Sequence, residues 1–404
     1  MEELCDYDNI VKGYKNSKHG KTYVYNMLKH KEFNPDEVLE KLQYDFLNGL
    51  YKTSDYTVFT IHEPKERIIF RLPYAPDRIA HHAIMNVLEE YWTKKISNTA
   101  YSCIKGRGVS GAYRYLKKCL KDKANTQYCL KCDIKKFFPS VNHAILKRII
   151  TKHIKDSEVL DILYEIIDST DRCDYCVKGY NLPIGNYLSQ YLANLMVSSV
   201  VTELKKEFPK VKIISYMDDI VVLSSSKKTL HCCCKRLQEI LAIYDLKLKS
   251  SYQVFPVEKR GISFVGFVFY HDKILLRKNI YRNIIKLCCR YRSNKITKAQ
   301  FKRSMASYYG WLRCCMAKGI CRIIYRLTGI YYSNWNGKRI KITTLYDESI
   351  KIYHIDKRKK YSLIQAMYHY HPIEVYTKNR KLIKHIFRTK RNTYLPNIKI
   401  KFYL

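Results

Sequence analysis

The hydrophobic and polar positions of the first hundred residues change between a helical and a strand-like period. The spacing predicts a helix that opens at Pro35, with Asn34 as its N-terminal cap, and helical periodicity returns from Asp77 to Trp92. Between these segments, residues 56–72 contain two β-rich runs on either side of a polar turn, a pattern that predicts a basic hairpin. We therefore expect this part of the chain to be mainly helical, with one hairpin.

The middle of the chain predicts a β-sheet flanked by helices. A strand ends at Asp133 and the chain breaks at Pro139, and residues 142–168 show the pattern of one long amphipathic helix. Further predicted elements are a loop with Gly185 leading into a helix from about residue 189, a hairpin over 213–223 with Asp218 and Asp219 at its tip, a helix over 230–244, a β-rich stretch over 252–276, and a mostly helical, very basic region from 278 onward. No GxGxxG or GxxxxGK[ST] motif is present, so a doubly wound nucleotide-binding fold is not supported.

Charge adds a class of partner to this picture. The chain has 74 Lys and Arg against 36 Asp and Glu, a net charge of +38 that favours a large polyanion such as nucleic acid as its partner. Codon bias in an AT-rich genome would also raise Lys, Ile, Asn and Tyr, but it does not explain why acids are scarce.

Cysteine content and hydropathy indicate the compartment. No run of about 18 apolar residues exists, and the N-terminal residues carry acids without an apolar h-region, so we expect no membrane partner and a cytoplasmic location. The 15 Cys then predict reduced thiols. The Cys129–Cys132 and Cys173–Cys176 pairs lie about twice as far apart as a zinc ribbon requires, and buried or incidental thiols are favoured over zinc there and in the 231–234 run.

Two adjacent carboxylates, Asp218 and Asp219, stand between two β-forming runs. An Asp pair in a turn is most often solvated, but these acids lie where buried strands reach the surface, and there their mutual repulsion favours bound cations. Phosphoryl transfer onto a growing nucleic acid needs two divalent metals held by two or three carboxylates. Asp133 would complete such a set if its strand neighbours the hairpin.

Several blocks along the chain match, in order, the motifs of one polymerase family. They are Glu63-Pro-Lys-Glu-Arg-Ile-Ile, Asp77-Arg78, His81-His82, Tyr101-Ser-Cys-Ile-Lys-Gly-Arg-Gly, Cys132-Asp-Ile-Lys-Lys-Phe-Phe-Pro-Ser-Val-Asn-His, Leu182-Pro-Ile-Gly-Asn-Tyr-Leu-Ser-Gln, Tyr216-Met-Asp-Asp, Gln253-Val-Phe-Pro-Val, Ile262-Ser-Phe-Val-Gly-Phe and Ser307-Tyr-Tyr-Gly-Trp-Leu. Together they resemble a reverse transcriptase of the diversity-generating retroelement type, within the superfamily that includes bacterial and phage retron and group II intron-like enzymes. The resemblance runs from about residue 10 to 315.

The resemblance implies an α+β fold, the right-hand polymerase, with fingers, a palm built on an antiparallel β-sheet and a helical thumb. Residues 1–125 would form the N-terminal region and fingers, and 126–277 the palm, with an inserted fingers or helical part at 142–182. Residues 278–320 would form the thumb and 321–404 a basic C-terminal extension. Cations and aromatics mixed in that extension fit contacts with a structured RNA, and a solvated basic surface is the alternative.

The implied activity is RNA-directed DNA polymerisation, in which dNMPs are added to a 3′-hydroxyl with two Mg²⁺ ions or, alternatively, Mn²⁺. By resemblance, Asp133 and Asp218 match the family's metal ligands, and Asp219 matches the third carboxylate near the primer end. Lys65 and Arg67 lie where relatives clamp the triphosphate, although a solvated hairpin is an equal alternative for either residue. Relatives usually have a Lys where this chain has Ser251. Lys249 would take the place of that lysine as the acid that protonates pyrophosphate.

Other matching positions concern nucleotide choice. Phe138 lies where the family places an aromatic that excludes ribonucleotides, and of Phe137 and Phe138 one is expected to be a core residue. Gly185 would let the backbone approach the incoming base pair. Ile184 replaces a Gln of more faithful relatives, and Gln190 replaces a common Pro, a form that resembles the group linked to error-prone copying of adenines.

The implied partners are a template RNA and its RNA/DNA hybrid, dNTPs and a small basic accessory protein. A phage-defence or retron-type reverse transcriptase is the nearest alternative, and a group II intron maturase is less favoured because no Cys/His-rich nuclease segment follows the thumb. A non-catalytic RNA-binding scaffold is the alternative of another class. Three intact, mutually repelling acids speak against it.

Overall fold

The structure is a computed structural model of the 404-residue chain, and it describes residues 1–19, 34–62, 66–330, 373–376 and 398–401. The chain divides into two compact units, residues 1–265 and 266–404. Lys65 and most of the predicted C-terminal extension lie outside the described residues. The division into fingers, palm, thumb and extension stays a prediction.

The N-terminal part of the first unit is helical with one hairpin, as predicted. Helices α1 (Glu2–Cys5), α2 (Tyr7–Ser17) and α3 (Pro35–Leu47) precede the antiparallel strands β1 (Thr57–Ile61) and β2 (Arg67–Arg71), and α4 (Ile79–Lys95) follows. The predicted cap is confirmed, because the Asn34 side chain accepts a hydrogen bond from the Asp36 amide. Helix α2 packs closely on α4, since a Cβ on Gly13 would lie 2.8 Å from the Ala83 backbone nitrogen.

The next segment contains α5 (Gly108–Cys119), β3 (Tyr128–Asp133), α6 (His143–Thr151) and α7 (Ser157–Asp168). The prediction of one helix over 142–168 was wrong, because the chain turns between α6 and α7. The Asp156 side chain accepts a hydrogen bond from the Val159 amide and so starts a new helix. A 3₁₀ turn, Ser169–Arg172, follows α7.

The central sheet is formed by β3 together with three later strands. Helix α8 (Tyr187–Glu207) leads into β4 (Lys212–Tyr216) and β5 (Asp219–Ser224), and α9 (Lys227–Ile243) leads into β6 (Gln253–Pro256). The strand order is β4-β5-β3-β6, and every neighbouring pair is antiparallel. Strand β3 and helices α8 and α9 each contribute several residues to the buried core, for example Leu130, Met196 and Leu237. Helix α10 (Val257–Arg260) and strand β7 (Ile262–Phe264) end this unit.

The second unit begins with the antiparallel strands β8 (Phe267–Phe269) and β9 (Ile274–Leu276). Three helices follow, α11 (Lys278–Arg292), α12 (Lys298–Leu312) and α13 (Lys318–Thr328). A glycine is required at Gly266, where φ is +86° and a Cβ would lie 2.2 Å from the Trp311 ring. Two further strands, β10 (Ile373–Tyr376) and β11 (Ile398–Lys401), pair in parallel.

All 15 cysteines are free. In the described ranges, none of the helices combines the length and hydrophobicity that a bilayer-spanning helix needs.

Candidate active site

The structure brings Asp133 and the Asp218–Asp219 pair to one end of the central sheet. Strands β3 and β5 are neighbours, and Asp133 is the register partner of Asp219. Strands β4 and β5 form a hairpin in which Tyr216 pairs with Asp219, so Met217 and Asp218 make the two-residue loop. Met217 adopts φ of +55°, a region that non-glycine residues seldom populate. The hairpin thus places two successive carboxylates beside the end of a third strand.

Backbone hydrogen bonds hold this end of the sheet on both sides of Asp133. The Ile134 amide donates to the Asp218 carbonyl over 3.1 Å, and the Lys249 amide donates to the Asp133 carbonyl over 2.9 Å. The three acidic positions are therefore fixed by main-chain pairing and do not depend on side-chain contacts alone.

The acids lie in a partly desolvated place. Burial raises the pKa of Asp218, and the negative charge of Asp133 raises that pKa further. A carboxylate in this position favours a nearby cation, because a positive charge offsets both the desolvation and the repulsion.

Two lysines supply positive charge at this point. The Lys131 ammonium contacts the Asp219 carboxylate and lies 3.7 Å from Asp133 Oδ1. The Lys249 ammonium lies 3.3 Å from Asp133 Oδ2. Lys131 precedes Asp133 by two residues on β3, so both side chains project from the same face of the sheet.

The three carboxylates are close in the sheet but do not converge on a single point. Among residues 1–19, 34–62 and 66–330, only one group of three or more His, Cys, Asp or Glu side chains has ligand atoms that all lie within 4.8 Å. That group is His143, Asp168 and Asp171, away from the predicted acids. At the candidate site, the Lys131 and Lys249 ammonium groups lie beside the carboxylates instead.

The two phenylalanines after Asp133 differ in exposure. Phe137 is buried, with 3% of its surface exposed, whereas Phe138 is only partly buried and opens the short 3₁₀ turn Phe138–Ser140. Their rings meet edge to face, with centroids 5.5 Å apart. Phe137 is therefore the core residue of the pair, a question that the alternation along the strand left open.

The loop before α8 is bonded to the β1–β2 hairpin. The Phe70 amide of β2 donates to the Ile184 carbonyl over 3.0 Å. Gly185 has φ of +133°, and a Cβ on it would lie 2.4 Å from the Phe70 carbonyl oxygen. The close approach that requires a glycine here is thus made by β2. Gln190 lies in the first turn of α8 with a partly exposed side chain.

Of the two cations predicted to clamp a triphosphate, one can be located. Arg67 is the first residue of β2, is exposed and pairs in register with Ile61. Lys65 lies outside the described residues.

Two site residues were missed by sequence reasoning. The position of Lys131 two residues before Asp133 on a predicted strand was the available signal, because period-two alternation puts both side chains on one face. Phe70 gave no such signal, since its contact with Gly185 joins segments far apart in the chain.

Comparison with known proteins places the chain in a family. The sequence profile described as "Reverse transcriptase (RNA-dependent DNA polymerase)" matches residues 62–269, just over half of the chain. That extent defines the class of protein, an α+β polymerase of the right-hand architecture, and confirms the predicted fold class. The chain belongs to the reverse transcriptase family.

Individual relatives are distant. The chain is 24% identical over 131 residues to Protein YkfC of Escherichia coli K12, which covers 31% of this chain and 34% of that protein. It is 23% identical over 280 residues to the Putative COX1/OXI3 intron 2 protein of Saccharomyces cerevisiae, covering 62% of this chain and 31% of that one. The Retron Ec73 reverse transcriptase of E. coli is 22% identical over 250 residues, with 56% and 75% covered. The chain thus spans about a third of the length of two of these three curated relatives.

Among solved structures, apo telomerase from Candida tropicalis is similar with a TM-score of 0.43 and 12% identity. The match covers 59% of this chain and 52% of that chain. The family assignment rests on the sequence profile match.

Proposed function

We propose that this chain is an RNA-directed DNA polymerase that adds dNMPs to a 3′-hydroxyl. One observation carries the proposal: Asp133 is the register partner of Asp219 and Asp218 adjoins it, so three acids share one end of a sheet in a chain of net charge +38. Membership of the reverse transcriptase family supports this reading. The proposal covers both the polymerase activity and its RNA template and other partners.

The residues present fit a pair of divalent ions of the Mg²⁺ type, with Mn²⁺ as an alternative. Carboxylate oxygens are hard donors that suit such ions, and the raised pKa of Asp218, caused by burial and then by Asp133, indicates a site that favours added positive charge. Asp133, Asp218 and Asp219 would hold the ions. When bound, the ions would acidify the attacking hydroxyl and neutralise the triphosphate.

The surrounding residues have roles that follow from their positions. Lys131 and Lys249 limit repulsion among the acids before substrate enters, because their ammonium groups adjoin Asp219 and Asp133. Arg67, exposed on the hairpin, would bind triphosphate oxygens together with Lys65, and Lys249 would donate a proton to pyrophosphate. The partly exposed Phe138 ring would crowd a ribose 2′-hydroxyl, whereas Gly185 in the loop before α8 and Gln190 in the first turn of α8 would lie beside the nucleotide.

Nucleic-acid binding is supported by a basic stripe in the second unit. Lys278, Arg282, Lys286 and Arg290 recur every four residues along α11 and are all exposed, whereas Ile284 and Cys288 are buried. Four exposed cations on one side of a helix form a line of positive charge that suits a phosphate backbone, and they predict salt-dependent binding of a template–primer duplex.

We further propose a biological role in sequence diversification, through error-prone cDNA synthesis from a retroelement template RNA. Ile184 supports this role, because an aliphatic side chain offers no hydrogen bond where more faithful relatives carry Gln. The proposed partners are the template RNA, dNTPs and a small basic accessory protein, in the cytoplasm. The similarity to a retron reverse transcriptase favours the alternative of a retron or phage-defence enzyme.

Misincorporation separates these two roles biochemically. Single-turnover incorporation opposite template adenine is expected to become more accurate in Ile184→Gln than in wild type. Unchanged misincorporation opposite adenine would contradict the error-prone proposal and leave the polymerase proposal intact.

Primer extension tests the polymerase itself. Wild-type protein with an RNA template, a DNA primer, dNTPs and Mg²⁺ is expected to extend the primer, and Asp218→Asn to fall below about one hundredth of that rate, a loss of about 2.7 kcal/mol or more. Asp161→Asn, which neutralises an exposed acid on α7, is the matched control and keeps the wild-type rate. RNA binding without extension by the wild type would favour the scaffold alternative.

A further inference from the structure

A second cluster of polar side chains lies outside the proposed polymerase site. It joins His143 at the start of α6, Asp168 at the end of α7 and Asp171 in the following 3₁₀ turn. One ligand atom from each residue lies within 4.8 Å of the other two. The polymerase chemistry proposed above uses none of these residues.

The buried histidine fixes the chemistry of the cluster. His143 is 3% exposed, and its Nε2 lies 2.8 Å from the Asn181 carbonyl oxygen. A carbonyl oxygen only accepts, so Nε2 carries the ring proton. In the neutral imidazole, Nδ1 then presents its lone pair to the cluster. Within the described part of the chain, Nδ1 makes no hydrogen bond, although it is buried.

Two carboxylate oxygens lie close to Nδ1. Nδ1 lies 3.3 Å from Asp168 Oδ1 and 3.6 Å from Asp171 Oδ1. Three electron-rich atoms this close repel one another, most of all beside the buried imidazole, unless a positive charge lies among them. Two donors held about 2.1 Å from an ion at the tetrahedral angle are themselves about 3.4 Å apart. The observed separations match that value.

The remaining contacts are those of a supported ligand set. The Gly179 amide donates to Asp171 Oδ1 over 2.8 Å, and the Lys147 ammonium contacts Asp168 Oδ2, leaving Oδ1 toward the histidine. A ligating histidine commonly donates its other ring N–H to a backbone carbonyl, as His143 does to Asn181. Asp168 and Asp171 are 39% and 21% exposed, so an ion has a path from solvent.

We propose that His143 Nδ1, Asp168 Oδ1 and Asp171 Oδ1 bind one divalent transition ion of the Zn²⁺ class, with water as the fourth ligand. A mixed nitrogen and oxygen set with near-tetrahedral spacing favours Zn²⁺ over Mg²⁺, which prefers oxygen donors in octahedral geometry. The site is structural. It ties the start of α6 to the end of α7 and to Asn181.

The ion would stabilise the segment that leads to the nucleotide side of the enzyme. The Asn181 amide donates to the Val141 carbonyl over 3.0 Å, and the Leu182 amide donates to the Phe138 carbonyl over 2.9 Å. The segment that carries the Asn181 carbonyl therefore reaches both the partly exposed Phe138 and the loop with Ile184.

The test uses protein in which two of the proposed polymerase metal ligands are substituted. Metal binding at the His143 cluster can then be measured independently of polymerase activity. Asp133→Asn/Asp218→Asn protein is stripped with a chelator, titrated with Zn²⁺ and, in parallel, with Co²⁺, and bound metal is counted after desalting. We expect one ion per chain, a rise in Tm on Zn²⁺ addition, and cobalt absorption without a thiolate charge-transfer band. Each result holds whether or not the wild type extends primers.

Substitutions locate the ion. Asp171→Asn, whose amide oxygen still accepts from Gly179, is expected to weaken Zn²⁺ binding at least tenfold, and His143→Gln likewise. Asp174→Asn, an exposed acid of the same segment, and Cys173→Ser/Cys176→Ser are matched controls that keep wild-type binding. Binding that survives Asp171→Asn, or that is lost with the thiols, would overturn the proposal.

A measurement on unmutated protein covers the case in which a variant does not fold. Crystals of the wild type grown with Zn²⁺ are expected to show an anomalous peak at the zinc edge between His143 and Asp171. The proposal fails if no peak lies there, or if nuclear magnetic resonance finds His143 protonated on both ring nitrogens at neutral pH in the presence of Zn²⁺.

Discussion

The Lys131 ammonium contacts the Asp219 carboxylate across the β3–β5 pair, although the register partner of Asp219 is Asp133. Side chains two residues apart on β3 share a face, and this brings a lysine into the row of acids. The lysine therefore acts as an internal counter-ion of the proposed metal site. The same ammonium group lies 3.7 Å from Asp133 Oδ1, so it is close to both acids.

Removing this counter-ion is expected to make folding depend on metal. Lys131→Met leaves partly buried carboxylates without their cation, so the free energy of unfolding without metal should fall by about 1–3 kcal/mol. Urea unfolding with and without Mg²⁺ measures the change, and Mg²⁺ should restore more stability to the variant than to wild type. Lys135→Met, at an exposed lysine of the same segment, is the control. Equal losses in both variants would contradict this role for Lys131.

Phe138 is expected to determine the choice of sugar. Phe138→Ala opens space where the proposed substrate carries its 2′ position, so the ratio of rNTP to dNTP incorporation should rise about tenfold or more, equivalent to about 1.4 kcal/mol of lost discrimination. Phe137→Leu alters the buried neighbour and should lower stability while leaving this ratio unchanged. Competition between rNTP and dNTP in single-nucleotide extension gives the ratio. A constant ratio in Phe138→Ala would reject the assignment.

Gly185→Ala should be destabilising through a clash as well as through its backbone angle. The added Cβ would meet the Phe70 carbonyl oxygen at 2.4 Å, so β2 or the loop must shift. At Gly49, φ is +64° and an added Cβ would have no neighbour within 4 Å among the described residues, so Gly49→Ala gives the cost of a left-handed φ without a clash, about 1 kcal/mol. The φ of +133° at Gly185 is harder still for an L side chain and adds to its loss. Chemical unfolding should give a loss for Gly185→Ala that exceeds the Gly49→Ala value by about 1–3 kcal/mol. Similar losses would show that the Phe70 contact yields easily.

Stability should fall in acid because of His81. Burial lowers the pKa of His81 to about 3, with smaller contributions from His82 and Arg78, against about 6.5 in an unfolded chain. Between these values the unfolded state binds a proton that the folded state does not, so the free energy of unfolding decreases as pH falls below about 6.5, by up to about 1.4 kcal/mol per pH unit. Above that pH, His81 contributes no slope.

Urea unfolding at pH 7.5 and 5.5 measures this effect. His81→Leu should reduce the dependence, because the His81 Nε2 has no hydrogen-bond partner within the described residues and an apolar side chain suits the site. His82, whose pKa is lowered to about 4 by burial and then by Arg78, contributes slope that remains in this variant. His62→Leu, at an exposed position, should keep the wild-type slope. A slope that His81→Leu leaves unchanged would assign the acid sensitivity to other groups.

Local signals explain what could be predicted from the sequence. The strand ending at Asp133 and the hairpin around Asp218 have β-forming runs ended by turn residues, and both lie where expected. The break before α7 was missed, because the apolar period continues through it and the cap depends on one acid, Asp156, among lysines. The Asp133–Asp219 register and the Lys131–Asp219 contact depend on strand order, which no local pattern encodes. The same holds for His143, whose ligand-like surroundings come from three separate elements.

The hydrogen bond from the Phe70 amide to the Ile184 carbonyl couples the β1–β2 hairpin to the loop before α8. Arg67 lies on the same strand, three residues before Phe70, so a bound triphosphate that displaced Arg67 would also displace Phe70 and, through this hydrogen bond, the backbone of Ile184. The two segments pack closely here, since a Cβ on Gly185 would clash with the Phe70 carbonyl oxygen. A substitution that weakens the contact between Phe70 and the Ile184–Gly185 backbone would then change both the affinity for the nucleotide and the accuracy of copying.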